Sequence, residues 1–208
     1  MSLVTNSLNP MLMKKSVKPL VLITIVALFC NTADAQLRIP VINGLGNDVK
    51  KVIENYPSRF INLMGEKVAE STQSIEYNCN FKVNGAEETS ITRYSAKKEV
   101  CSWQALMLTT ESFDKAKQKF KSLYNQLNNL SVDIDNAKNL HLKGIYETPA
   151  EEKKFASVLF YFQPASDAVK KLKVEILMEF AEPMEWKVKV LVYDREREDN
   201  EKGKTVDE

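Results

Sequence analysis

The sequence predicts an α+β domain, an antiparallel sheet of about six or seven strands with two helices packed on one face, in the order α-ββ(β)-α-ββββ. Two segments repeat apolar residues at three- and four-residue intervals, which is typical of amphipathic helices. Several other segments alternate apolar and polar residues with the period of a strand. Strands and helices do not alternate along the chain, which disfavours a nucleotide-binding parallel sheet.

The first helix is predicted over residues 47–65, "NDVKKVIENYPSRFINLMG", which carry one apolar stripe. Asn47 or Asp48 is the expected N-cap, and Gly65 is the expected end of the helix. Pro57 lies inside the stripe, so we expect a kink or two short helices.

A strand is predicted over residues 75–83, where apolar and polar side chains alternate. Asn84 and Gly85 follow it and favour a tight turn. Residues 91–94, "ITRY", can form a short strand, and residues 99–108 a longer one with apolar side chains on both faces.

The second helix is predicted over residues 109–130, with Thr109 or Thr110 as its N-cap. Four strand candidates then follow, at residues 138–146, 155–162, 172–180 and 186–193. A helix followed by a short meander thus occurs twice, which suggests a duplicated unit. This order of elements is broadly similar to secretion-chaperone-like and other two-layer α+β folds. No motif supports transferring a function from those folds to this chain.

Residues 11–36, "MLMKKSVKPLVLITIVALFCNTADAQ", have the three parts of a secretory signal. A lysine-rich start precedes an apolar run at residues 20–29, and residues 33–35 form an A-x-A cleavage site. The apolar run is shorter than the roughly 20 residues that a transmembrane helix needs. We therefore expect residues 1–35 to be removed and the protein to be periplasmic or extracellular. The N-terminus resembles those of exported bacterial proteins whose mature chain begins with glutamine, here Gln36.

Three alternatives at the N-terminus stay open. Translation can begin at Met1, Met11 or Met13, and the residues before Met11 are then a dispensable extension. Cys30 directly follows the apolar run and offers lipid attachment, although Phe29 stands where that processing prefers a small side chain. The signal can also remain uncleaved as an N-terminal anchor.

Residues 36–193 are predicted to form one domain, followed by a charged, disordered tail over residues 194–208. The chain carries 29 Lys and Arg against 28 Asp and Glu. This balance argues against a nucleic-acid partner, for which a concentrated basic face is expected. No second long apolar run occurs, so no transmembrane span is expected in the mature chain.

Cys79 and Cys101 lie on two predicted strands of an exported protein, which favours a disulfide between them over two buried thiols. A metal site is disfavoured because the chain has one histidine and no C-x-x-C motif. The disulfide requires the two strands to be neighbours, with residues 84–97 projecting as a loop. If residues 91–94 form a strand between them, the cysteines are about 9–10 Å apart, beyond disulfide reach.

Candidates for catalysis are few, and no cofactor is expected. His141 is the single histidine and a possible general base. The candidate carboxylate pairs are Glu87 with Glu88, Glu151 with Glu152, and Glu179 with Glu182. A small secreted hydrolase using His141 or one of these pairs is therefore an alternative hypothesis. We expect these residues to be solvated groups on the protein surface.

Two strands, "FASVLFYF" and "WQALML", carry apolar residues on both faces. Either both faces are covered, or one forms an apolar patch that receives a partner. The candidate binding residues are Trp103, Met107, Phe155, Phe160, Tyr161 and Phe162. The leading hypothesis is an exported, non-catalytic binding or assembly domain of the bacterial envelope that recognises a protein or apolar ligand. A lipid-anchored structural envelope component is a further alternative, and the sequence does not predict the oligomeric state.

Overall fold

A computed structural model of the chain describes residues 44–95 and 100–195. These residues belong to one compact unit, Ile42–Glu208. The predicted signal with Cys30 lies outside the described residues, as does the predicted tail from residue 196 onward. Within the described ranges, no helix is long and apolar enough to cross a membrane.

Helix α1 spans Gly44–Glu54 and buries one side, including Val49 and Ile53. Two short 3-10 turns, Tyr56–Ser58 and Ile61–Leu63, follow it. The prediction that Pro57 interrupts the helix is confirmed, since α1 ends before it, at Glu54. Proline cannot donate the backbone hydrogen bond that would continue the helix. The predicted helix end at Gly65 is wrong, since that residue lies in the first strand.

Four strands follow α1 in sequence and lie side by side in the sheet. They are β1 (Met64–Glu70), β2 (Ser74–Cys79), β3 (Glu88–Tyr94) and β4 (Val100–Thr110).

Helix α2 spans Phe113–Leu127 and packs on β4. Its N-cap is Ser112, whose hydroxyl accepts a hydrogen bond from the Lys115 amide, rather than the predicted Thr109 or Thr110. The helix buries Ala116, Phe120, Leu123 and Leu127 against the sheet.

Five strands follow α2, again side by side in chain order. They are β5 (Ser131–Ile134), β6 (Ala137–Lys143), β7 (Phe155–Gln163), β8 (Leu172–Ala181) and β9 (Glu185–Asp194). The β8–β9 hairpin turns at Glu182 and Pro183, as the sequence predicts.

The α+β class with an antiparallel sheet and two helices is confirmed, but the sheet has nine described strands, more than predicted. The strand order is β1-β2-β3-β4-β9-β8-β7-β6-β5, and every neighbouring pair is antiparallel. Each helix is therefore followed by a meander, and the two meanders meet where β4 pairs with β9.

Both helices contribute to one core on the same face of the sheet, here called the inner face. Trp103 of β4, Ile176 of β8 and Val190 of β9 are fully buried there. The opposite, outer face of β8 and β9 carries charged side chains such as Glu179 and Lys189, which are partly exposed. Alternation along each strand therefore separates the core from the outer face.

The predicted disulfide between Cys79 and Cys101 is wrong, because both residues are thiols. Strand β3 lies between β2 and β4, so the two cysteines are two strand spacings apart. They are also offset along β3, since Cys101 pairs with Arg93 whereas Asn78, the neighbour of Cys79, pairs with Ser90. A disulfide cannot span this separation, because the α-carbons of two bonded cysteines lie at most about 6.8 Å apart.

Candidate binding surface on strand β7

Strand β7 presents apolar side chains on both faces of the sheet. On the inner face, Val158, Phe160 and Phe162 are buried in the core. On the outer face, Phe155, Leu159 and Tyr161 are exposed by 53%, 43% and 56%. We call these three exposed side chains the β7 patch.

The β7 patch lies on the face of the sheet that the two helices do not cover. Helix α2 packs on β4, β8 and β9, and its buried side chains belong to the same core cluster as Phe160. The inner face of β7 is sealed closely, because a Cβ atom at Gly144 would lie 2.7 Å from Cγ1 of Val158 and 2.9 Å from Cδ1 of Phe160. The core therefore takes its side chains from the inner face and leaves the β7 patch to solvent.

A polar border separates the β7 patch from the centre of the sheet. Phe155 pairs across the strands with Glu179, and Leu159 pairs with Glu175. Lys189 donates a 2.7 Å hydrogen bond to Glu179. Tyr193 of β9 donates a 2.9 Å hydrogen bond from its hydroxyl to Glu175 in the same way. These bonds turn the two carboxylates towards β9. Charged groups therefore border the β7 patch on its β8 side, with Leu177 between them opposite Ser157.

Strand β7 changes its pairing partner at Tyr161. Residues Phe155–Phe160 pair with β8, whereas residues 161–163 pair with β6. Because β7 and β8 separate beyond this point, a groove of about 470 Å³ opens between them.

The groove is lined by both apolar and charged residues. Buried Phe162 and Leu172 line it together with exposed Asp167 and Lys170. Tyr161 belongs both to the groove and to the β7 patch, so the two features form one continuous surface.

The structure divides the predicted binding residues between the two faces. Trp103, Met107, Phe160 and Phe162 are at most 8% exposed and build the core. Phe155 and Tyr161 lie on the outer face, and Leu159, which is not among the predicted binding residues, lies on the same face and completes the patch.

His141 does not gather the groups that a general base requires. It lies exposed on β6, opposite Ser131 of β5 and Gln163 of β7. No hydrogen bond joins its ring to either residue within the described ranges. A catalytic histidine needs both an orienting group and a nucleophile within hydrogen-bond reach, at least by way of one water.

The candidate carboxylates are paired or solvated. Glu87 accepts hydrogen bonds from the Thr109 amide at 3.0 Å and the Thr109 hydroxyl at 2.8 Å. Glu179 accepts one from Lys189. The remaining candidates are exposed, namely Glu88, Glu151, Glu152 and Glu182. No group of three or more potential metal-binding side chains occurs among the described residues.

Two pKa shifts arise beside helix α2. Burial lowers the pKa of Lys119, and the nearby Glu87 carboxylate opposes this effect. Burial also raises the pKa of Tyr146, whose ring packs 5.1 Å from that of Tyr124. Both shifts follow from packing, and neither residue lines the groove.

Comparisons of the chain with protein-family models, with curated proteins and with solved structures found no match. The fold and the β7 patch are therefore the observations on which a function can be based.

Proposed function

We propose that this protein is an exported, non-catalytic binding or assembly domain of the bacterial cell envelope. Its β7 patch contacts a partner protein or an apolar ligand. The observation that carries this proposal is the exposure of Phe155, Leu159 and Tyr161 on one face of a single strand.

Scattered apolar side chains on a protein surface need no functional explanation, whereas a contiguous patch does. Elsewhere in the described chain, exposed residues such as Ile61, Val68 and Met184 lie on separate elements. The three members of the β7 patch instead share one face of β7, with Ser157 between Phe155 and Leu159, and adjoin a groove. An apolar centre with a charged border is also the usual arrangement of a protein interface.

A purely structural role does not account for the patch. The inner face of β7 already supplies Val158, Phe160 and Phe162 to the core. Replacing an outward-facing residue by a polar one would therefore leave that core intact. Contact with a partner gives the exposed aromatic rings a function, because burying each one would contribute about 1.5–3 kcal/mol.

Export is proposed from the N-terminal sequence. Intact mass of the protein from its own cells tests it, with a mass beginning at Gln36 as the expected result. A lipid-modified mass beginning at Cys30 would instead support the lipid-anchored alternative, and an unprocessed mass would contradict export.

Site-specific photocrosslinking in the native envelope tests the binding role. A photoreactive phenylalanine analogue replaces Tyr161 in one variant and Lys187 in the control. Lys187 also faces outward, but from the charged strand β9. We expect one discrete crosslinked product from position 161 and none from position 187. Equal labelling at the two positions, or none at either, would refute a binding role for the β7 patch.

A further inference from the structure

The two outermost strands of the sheet are protected against pairing with another chain. Edge strand β1 carries Glu66, Lys67 and Glu70 and shifts its register twice against β2. Edge strand β5, Ser131–Ile134, has only four residues. Charges, irregular register and short length are the usual devices that prevent edge-to-edge association.

A third edge inside the sheet lacks this protection. Strand β6 pairs with β7 only at residues 161–163, so among the described strands residues 155–160 have a partner on one side only. Their sequence, "FASVLF", contains no charge, proline or glycine. Residues 144–150 form no backbone hydrogen bond with this half of β7 within the described chain. Gly144 lies instead against the core-facing side chains of Val158 and Phe160.

We propose that this unpaired half of β7 is the dimer interface of the protein, at which a second copy adds its own β7 in antiparallel orientation. A strand that pairs antiparallel with itself generates two-fold symmetry. The pairing centred on Ser157 uses residues 155–159 and ends before Phe160, against which Gly144 lies at the end of β6. It satisfies backbone groups of both copies and consumes both open edges, so association stops at the dimer.

The side chains fit this register. On the outer face Phe155 of one copy lies opposite Leu159 of the other, and this pair occurs twice. Ser157 lies opposite its own counterpart between them. Large apolar cross-strand pairs stabilise antiparallel sheets, and no like charges face each other within residues 155–160.

The ends of the interface carry charges of both signs. In this register the turn Glu151–Lys153 of each copy approaches the Lys143 end of β6 in the other. The turn presents Glu151 and Glu152 together with Lys153, and exposed Lys154 follows it. These charges balance, so the apolar pairs of Phe155 with Leu159 favour the register.

The dimer goes beyond the proposed partner-binding role, because its backbone pairing uses the strand edge whereas the partner contacts the strand face. Phe155 and Leu159 contribute to both, whereas Ser157 lies in the dimer interface and is not a member of the β7 patch. Pairing joins the two β7 patches across the seam into one apolar surface. A partner of the dimer therefore meets twice the apolar area that one copy presents.

Sedimentation velocity over a range of protein concentrations tests the dimer. The unpaired segment, residues 155–160, is short, well below the roughly 20–30 residues per side of a standard interface. We therefore expect a monomer at low concentration and a dimer at high concentration. A monomer at every concentration, or open-ended oligomers, would overturn the proposal.

Charge variants at the two-fold axis test the register. Ser157→Lys and Ser157→Glu each place like charges opposite each other, so each variant alone should lose the dimer. An equal mixture of the two should dimerise again, because Lys then faces Glu; this rescue distinguishes repulsion from misfolding. Gln163→Lys is the matched control, since Gln163 is exposed on β7 but pairs with β6, and it should dimerise like the original protein. Dimers that persist in Ser157→Lys alone, or no dimer in the mixture, would place the interface elsewhere.

Discussion

The outer faces of β7 and of its neighbours β8 and β9 differ sharply, although all three strands belong to one sheet. Outward positions of β8 and β9 include ionic and hydrogen-bonded pairs, Glu179 with Lys189 and Glu175 with Tyr193, beside Leu177 and Leu191. Outward positions of β7 carry Phe155, Leu159 and Tyr161, which are exposed. Both regions back onto the same core, so the packing of that core does not require the difference. The difference supports the proposal that the outer face of β7 contacts another molecule.

The largest expected effect is the difference in stability between substitutions at two adjacent residues on opposite faces of β7. Phe160→Ala should lower the free energy of unfolding by about 3–5 kcal/mol, because Phe160 is 1% exposed and its loss leaves a cavity. Tyr161→Ala should change it by no more than about 0.5 kcal/mol, since Tyr161 is 56% exposed on the outer face. Urea denaturation of both variants measures the difference. Comparable destabilisation by the two substitutions would show that the β7 patch is part of the folded core.

A smaller effect is expected where the chain closes over the inner face of β7. Gly144→Ala should destabilise the protein by about 1–3 kcal/mol, because the added methyl group meets Val158 and Phe160 closer than 3.0 Å. Ile145→Ala is the matched control and should have little effect, since Ile145 is 77% exposed. Thermal unfolding of the two variants tests this, and a tolerated Gly144→Ala would contradict the tight seal.

The smallest effect is expected for the charged pair on the outer face of β8 and β9. A double-mutant cycle with Glu179→Gln and Lys189→Met should give a coupling energy of about 0.5–1 kcal/mol, because the pair is partly exposed to solvent. Denaturation at low and high salt measures it, and the coupling should shrink at high salt. A coupling of several kcal/mol would mean that this pair, rather than the core alone, organises the sheet.

Regular alternation made much of the fold predictable from the sequence. Strands β8 and β9 alternate strictly, and their bounds and connecting turn were predicted closely. Strand β1 was missed because its exposed segment, "MGEKVAE", has no apolar alternation to mark it. Strand β5 was missed because four residues are too few to show a period.

The disulfide prediction failed for a related reason. The strand signal of "ETSITRY" is weak, because polar and apolar side chains are mixed, and so β3 was not firmly placed between β2 and β4. Its presence there separates Cys79 from Cys101.

The candidate site was predictable only in part. Alternation divides β7 into two apolar sets, but it does not reveal which set faces the core. Phe160 and Phe162 were therefore grouped with Phe155 and Tyr161 as binding residues. The position of the helices on one side of the sheet decides between the sets, and that position depends on packing contacts distant in sequence.

The most direct test of the binding role is native mass spectrometry of the protein isolated from its own envelope. It compares the original chain with a triple variant, Phe155→Ser, Leu159→Ser and Tyr161→Ser. A matched control carries Lys187→Ser on the charged part of the outer face, away from the groove. The account predicts a bound partner or apolar ligand on the original and control proteins and its loss from the triple variant, with all three folded. A ligand retained by the triple variant, or none on the original protein, would contradict it.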